Sequence, residues 1–273
     1  MTTKTNIHPF VKMHGLGNDF IILDARCSDL KMDAACARKL ANRQRGVGCD
    51  QLIVMRASGT CDIFMEIWNA DGSRVGACGN ATRCVGRLLL DETGAASVSI
   101  QTDAGNLSAV AAGNDISVNM GFAGTNWQDI PLAHEADTIA ANFTKGPLST
   151  PGCVNMGNPH AVFFVEDADA IDLDHWGADI EIDPFFPERA NVSVVTVSGG
   201  IIRQRVWERG AGITQACGSA ACASVVAASR RGLIDRKATV RLDGGDLSVE
   251  WLADGSVQMT GPTRFVFSGE VEL

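Results

Sequence analysis

This 273-residue α/β sequence predicts two copies of one α+β unit, each a central helix wrapped by a strand-rich, barrel-like sheet. Three observations carry that expectation. The chain repeats itself at an offset near 140 residues, each copy holds one long run of small and apolar residues of helical length, and β-branched segments with hairpin turns flank both runs. With 45% hydrophobic and 20% charged residues, there is material for a core in each of two pseudo-symmetric domains.

The elements follow in order. Gly17-Asn18, entering the strand Phe20–Leu23, is matched by Gly157-Asn158 entering His160–Phe163. A helix is expected near Asp33–Arg43. Gln51-Leu-Ile-Val then answers Asn191-Val-Ser-Val, Ile67-Trp68-Asn69 answers Val206-Trp207-Glu208, and Cys78-Gly79 answers Cys217-Gly218. Helices are predicted over Gly79–Leu90 and Gly218–Arg231, after the turn residues Asn69-Ala-Asp-Gly-Ser and Arg209-Gly-Ala-Gly. Both are nearly all small or apolar, the pattern of a helix buried on every side. Hairpins at Asp103-Ala-Gly and Asp243-Gly-Gly, and the match of Val118-Asn-Met with Val257-Gln-Met, carry the repeat past the helices. The segment 124–150 reads as a linker and the first strand of the second copy. The domains are therefore expected at 1–124 and 125–261, with 262–273 outside the repeat and returning to the first.

Composition excludes several functions. With 32 acidic against 23 basic residues, a net charge of -9 and no basic patch, neither nucleic acid nor an anionic membrane surface is an expected partner. No apolar run approaches the roughly 18 residues of a membrane span. Nine cysteines form no Cys-x-x-Cys pair, and Met1–His8 lacks the apolar core of a signal peptide, which points to free thiols in the cytoplasm. Gly15-Leu-Gly17 and Gly46-Val-Gly48 lack a third glycine, and no Cys/His spacing fits zinc, so neither a dinucleotide nor a metal is expected; the sequence alone leaves a pyridoxal lysine open, but two thiols make it unnecessary, and no cofactor is expected.

The duplication singles out two thiols. Cys78 and Cys217 each precede a glycine at the start of a buried helix, where unpaired N–H groups and the helix dipole favour thiolate. Small residues there, Gly79, Ala81, Gly218 and Ala220, let a carboxylate approach the backbone. Inverting an α-carbon needs a base on one face and an acid on the other. One thiolate and one thiol meet that need without a cofactor, and N–H donors at the helix starts stabilise the charge that develops on the carboxylate. The other cysteines, Cys27, Cys36, Cys49, Cys61, Cys84, Cys153 and Cys222, read as core or bystander residues.

Together, Met13-His-Gly-Leu-Gly-Asn-Asp-Phe20, Asn69-Ala-Asp-Gly-Ser73, Cys78-Gly-Asn80, Met156-Gly-Asn-Pro-His160, Glu208-Arg-Gly-Ala-Gly212 and Cys217-Gly-Ser219 closely resemble the diaminopimelate epimerase family. The resemblance implies a cofactor-independent isomerase that interconverts LL- and meso-diaminopimelate in lysine and peptidoglycan precursor biosynthesis. It makes Cys78 and Cys217 the acid–base pair, with His160 and Glu208 tuning the thiols. It assigns substrate binding to Asn18, Gln51, Asn69, Gly79, Asn80, Asn158, Asn191, Glu208, Arg209, Gly218 and Ser219, with Arg209 pairing with the distal carboxylate. It also implies a homodimer, with Phe267 where relatives often use a tyrosine. Ala81, Ala220 and Ile213 depart from the family pattern, and the added methyls are expected to narrow the carboxylate pocket.

Three other readings compete. A proline-type racemase shares the two-thiol logic, but its smaller pocket has no use for Arg209. A thiol redox protein would place a resolving cysteine close in sequence. A non-catalytic amino-acid binder would keep its function without either thiol.

Overall fold

The computed structural model describes residues 7–273. The start of the chain, on which the reading of no signal peptide rests, lies largely outside them. In chain order the elements are β1 (Ile7–Gly15), β2 (Asn18–Asp24), α1 (Ala34–Ala41), β3 (Gln51–Arg56), β4 (Ile63–Asn69), β5 (Arg74–Val75), α2 (Gly79–Thr93), β6 (Ser97–Thr102), β7 (Gly105–Ala112) and β8 (Asp115–Phe122). A second series follows: β9 (Thr144–Lys145), β10 (Leu148–Ser149), β11 (Gly152–Asn155), β12 (Pro159–Phe164), α3 (Leu173–Glu181), β13 (Asn191–Ser198), β14 (Ile201–Glu208), β15 (Gly212–Ile213), α4 (Gly218–Arg230), β16 (Lys237–Leu242), β17 (Gly245–Trp251) and β18 (Ser256–Gly261). β19 (Arg264–Glu272) ends the chain.

Two compact units result. One runs to Val118 and includes Pro262–Leu273, and the other is Asn119–Gly261. The division falls inside β8, a few residues before the position expected from the linker residues.

In the first unit β1 pairs antiparallel with both β2 and β19. β2 lies parallel to β3, β3 antiparallel to β4, β4 parallel to β6, and β6 antiparallel to β7. A parallel pair needs a crossover rather than a hairpin. α1 fills the first crossover and α2 the second. The other unit repeats the plan: β12 and β13 are parallel with α3 between them in sequence, and β14 and β16 are parallel with α4 between them. β11, β17 and β18 complete its sheet by antiparallel pairing.

Each unit is held together from inside by its own long helix. α4 touches β11 to β14 and β16 to β18, and every residue from Ala220 to Ala228 is buried. Its alanines and Val225 and Val226 leave no polar stripe, so a sheet can cover it on all sides. α2 packs against β1, β2, β6 and β7, but its last turn is exposed and it carries the fully buried Arg83. Gly94, with φ 66°, takes the left-handed conformation that ends α2 and returns its N–H to the Leu90 carbonyl. Local caps start the shorter helices. Asp33 accepts from the Cys36 N–H at 2.8 Å and Asp172 from the His175 N–H at 3.3 Å.

Candidate functional site

Each unit builds a matched cluster of one cysteine and several amides at the start of its long helix. In the first, Cys78 is the extended residue before α2, half-buried, and its carbonyl receives the Thr82 N–H at 2.9 Å and the Thr82 hydroxyl at 2.8 Å. The Asn18 Oδ1 lies 3.9 Å from the Cys78 Sγ and accepts the Asn80 side-chain N–H at 3.2 Å. Asn18 opens β2 directly after the tight Leu16-Gly17 turn, where both residues have positive φ (56° and 89°). For Leu16 that is a strained conformation, held where the site needs the turn. Gln51, at the head of β3, stands opposite Asn69 at the end of β4 and donates to its Oδ1 at 3.0 Å. Asn69 in turn donates to the Ser73 hydroxyl at 3.0 Å. The Gln51 Oε1 is buried without a hydrogen-bond partner among the described residues, an acceptor open to an ammonium group.

In the second unit Cys217 precedes α4 and is buried between Val206 and Ala220. Its Sγ is 3.5 Å from the Ser219 hydroxyl. Burial drives its pKa well above the ordinary thiol value and the Glu208 carboxylate pushes the same way, against the Ser219 hydroxyl and the Ala220 N–H, which favour thiolate. The helix start was expected to make a thiolate. Here desolvation outweighs the helix end, so this thiol holds its proton. The Glu208 Oε1 accepts the Thr214 hydroxyl at 2.5 Å.

The amides of this half are held as firmly. The Asn158 Oδ1 meets the His160 Nε2 at 2.8 Å. Asn191 donates to the Pro159 carbonyl at 2.9 Å and accepts the Arg209 N–H at 3.0 Å. Arg209 also places its guanidinium on the Glu188 carbonyl at 3.0 Å. His160 is fully buried, and that burial, with Arg209 nearby, pushes its pKa down to about 3. The imidazole is therefore neutral near pH 7 and acts by hydrogen bonding rather than by charge.

The departures from the family pattern fall in packed places. Ala81 and Ala220 are both 0% exposed, and Ile213 packs on the apolar core of the second unit. Sequence reading missed the groups that fix the site residues. Glu181 accepts the Gly210 N–H at 2.9 Å and the Trp207 indole N–H at 2.7 Å, tying down the turn that carries Arg209. Asp19, Asp50, Arg43 and Lys12 form a charged cluster beside Asn18. Asp19 lies within the Met13–Phe20 motif, but no motif marks Glu181, Asp50, Arg43 or Lys12, because tertiary pairing alone makes them neighbours.

A duplicated α+β unit whose copies each set a cysteine before a buried helix, among amides, defines a racemase or epimerase of amino-acid α-carbons. The family model for diaminopimelate epimerase matches residues 10–125 and 152–266. Diaminopimelate epimerases of Acidiphilium cryptum and Rhodospirillum centenum are 50% and 51% identical to the chain; the alignments cover 97% of it in both cases, and 96% and 92% of those proteins. The chain belongs to the diaminopimelate epimerase family. The fold extends to more distant solved structures. A hydroxyproline epimerase from Agrobacterium vitis aligns with TM-score 0.70 at 16% identity over 100% of this chain and 94% of its own. A PhzF-family phenazine biosynthesis protein from Bacillus anthracis aligns with TM-score 0.69 at 16% identity over 98% of this chain and 100% of its own.

Proposed function

We propose that the chain is a diaminopimelate epimerase that interconverts the LL and meso isomers with Cys78 and Cys217 as its two proton-transfer groups, serving lysine and peptidoglycan precursor synthesis. The observation that carries this reading is the matched pair of Cys-Gly helix starts in a chain half identical to diaminopimelate epimerases over nearly its whole length. One thiolate removes the α-proton from one face of the carbon while the opposite thiol delivers a proton to the other. The roles exchange with direction. The protonated state of Cys217 suits it to act first as the acid.

The other roles follow from chemistry. The first-turn N–H groups at Gly79-Asn80 and Gly218-Ser219 receive the reacting α-carboxylate, and neither helix start is blocked by a side-chain cap. Asn18, Gln51, Asn69, Asn158 and Asn191 supply the oriented donors and acceptors that two ammonium and two carboxylate groups require once desolvated. Arg209 takes the distal carboxylate, Glu208 holds the Cys217 proton in place, and His160 tunes its half-site as a neutral hydrogen bonder.

In deuterated water the protein is expected to exchange the α-proton of diaminopimelate and not that of proline, followed by mass spectrometry. Exchange with proline alone would overturn the assignment in favour of a proline-type racemase.

A cytoplasmic homodimer completes this reading. Among the described residues no helix is long and apolar enough to cross a membrane, and all nine cysteines are free. β19 exposes Phe265, Val266 and Phe267 in succession, an apolar row that a second copy would cover. The Phe267 ring stands edge-on to Phe10, with centroids 5.8 Å apart, so it projects from a packed base. Phe267→Asp is expected to weaken the dimer at least ~10-fold, the loss of about 1.4 kcal/mol of interface energy, in a light-scattering dilution series. An unchanged dimer would place the interface elsewhere.

A further inference from the structure

The two clusters share an asparagine after the same glycine, Asn18 in one unit and Asn158 in the other, yet each is fixed by a different neighbour. In the second half the Asn158 oxygen meets the His160 Nε2 at 2.8 Å. The position matching His160 in the first half is Phe20, which cannot hydrogen-bond by its side chain. Asp50 does the work there instead. Its Oδ2 accepts the Asn18 side-chain N–H at 3.0 Å and the Asp19 N–H at 3.1 Å. The position matching Asp50 in the second half is Ala190, so each copy keeps one anchor and lacks the other.

An amide has a donor end and an acceptor end, and turning it over exchanges them. The carboxylate oxygens of Asp50 accept, so they select the NH2 end of Asn18. The oxygen of Asn18 is then turned toward the Cys78 Sγ, 3.9 Å away, and toward the Asn80 N–H at 3.2 Å. Asp50 is itself immobilised. Its Oδ1 accepts from the Arg43 guanidinium at 2.7 Å, and its N–H donates to the Asp19 Oδ1 at 2.9 Å. Arg43 and Lys12 both pair with Asp19, and despite the cost of burial these contacts hold the Asp19 carboxyl well below the usual range. The parallel pairing of β2 with β3, with Phe20 opposite Gln51, brings these residues together from 31 positions apart.

We propose that Asp50 is a positioning residue for proton transfer at Cys78, fixing the side-chain amide of Asn18 with its oxygen toward the sulfur. This rests on the reading of Cys78 as a proton-transfer group. A thiol S–H facing that oxygen has a fixed acceptor, which sets the direction in which Cys78 presents its proton.

The test is a double-mutant cycle on the full-length protein, read as kcat/KM for diaminopimelate inversion. Asp50→Ala is expected to cost ~10- to 100-fold, the scale of a small misplacement at a reacting centre. In an Asn18→Ala background the same change is expected to cost less than about twofold. Asp50→Asn should recover only part of the loss, because its one carbonyl oxygen can still accept from Asn18 and from the Asp19 N–H while its NH2 group faces the Arg43 guanidinium in place of an acceptor. Equal losses in both backgrounds would overturn the proposal. The unsubstituted protein gives a second measurement should Asp50→Ala fail to fold. The Asn18 side-chain amide protons are expected to exchange with solvent at least ~10-fold more slowly than those of exposed asparagines, and exchange at the free rate would also overturn it. If the unsubstituted protein exchanges no α-proton of diaminopimelate, the proposed function fails while the amide measurement still reports on Asp50. If it turns over normally and Asp50→Ala matches it, this inference fails alone.

Discussion

Replacing either Cys78 or Cys217 with alanine is expected to slow inversion of diaminopimelate on the order of 10⁴-fold, while leaving the folded structure in place. Inversion needs two groups at once, one to take the proton and one to return a proton to the opposite face. With one thiol gone, the remaining group can still take up a proton and give it back on its own side. Each single variant is therefore expected to retain at most deuterium uptake without change of configuration. Stability should change little. Cys78 is only half-buried, and removing the Cys217 sulfur from its contacts with Val206 and Ala220 costs about 1 kcal/mol, a few degrees of thermal midpoint. Circular dichroism and thermal melting check the fold, and chiral chromatography of the product checks inversion. A variant that still inverts the substrate at near the normal rate would sink the two-thiol mechanism and favour a simple binding protein.

The duplication made most of the architecture legible. A constant offset through Trp68 and Trp207, and through Cys78-Gly79 and Cys217-Gly218, is a pattern that separate folds would not keep, and both copies show the same pair of parallel crossovers. Both long helices begin at the glycine after the cysteine, as their small, apolar sequences imply. α3 was harder to see. It spans only nine residues, with Gly177 pressed against Trp207 in its middle, so neither length nor helix propensity marks it. The protonation of Cys217 was not legible either. A helix start can be recognised in sequence, whereas the burial that overrides its dipole exists only once α4 is enclosed by its sheet. The same holds for Asp50 and Glu181, which matter through partners far away in the chain.

Acidification is expected to destabilise the protein through His160, and a glutamine at that position should remove the effect. The sign follows from which state binds the proton. Unfolded, the imidazole titrates near its model value of 6.5; folded, it does so only at about 3, because the side chain is fully buried and Arg209 adds positive charge nearby. Below pH 6.5 the unfolded chain therefore binds a proton that the folded protein refuses, and unfolding gains ground. The contribution is complete above that pH and is lost progressively down to about 3, at about 1.4 kcal/mol per pH unit. At pH 4.5 the loss would reach about 2–3 kcal/mol, a large part of the margin of an ordinary domain. Asp19 does not mask this, because its depressed carboxyl adds stability that is lost only as the pH falls below the unfolded value of 3.8. His160→Gln keeps a donor for the Asn158 oxygen and has nothing to titrate. Urea denaturation of both proteins at pH 7 and pH 4.5 should show the unsubstituted protein losing about 2–3 kcal/mol more than the variant. Equal losses would mean that the imidazole is reached by solvent or takes up a proton without unfolding, and its role as a neutral hydrogen bonder to Asn158 would fall with it.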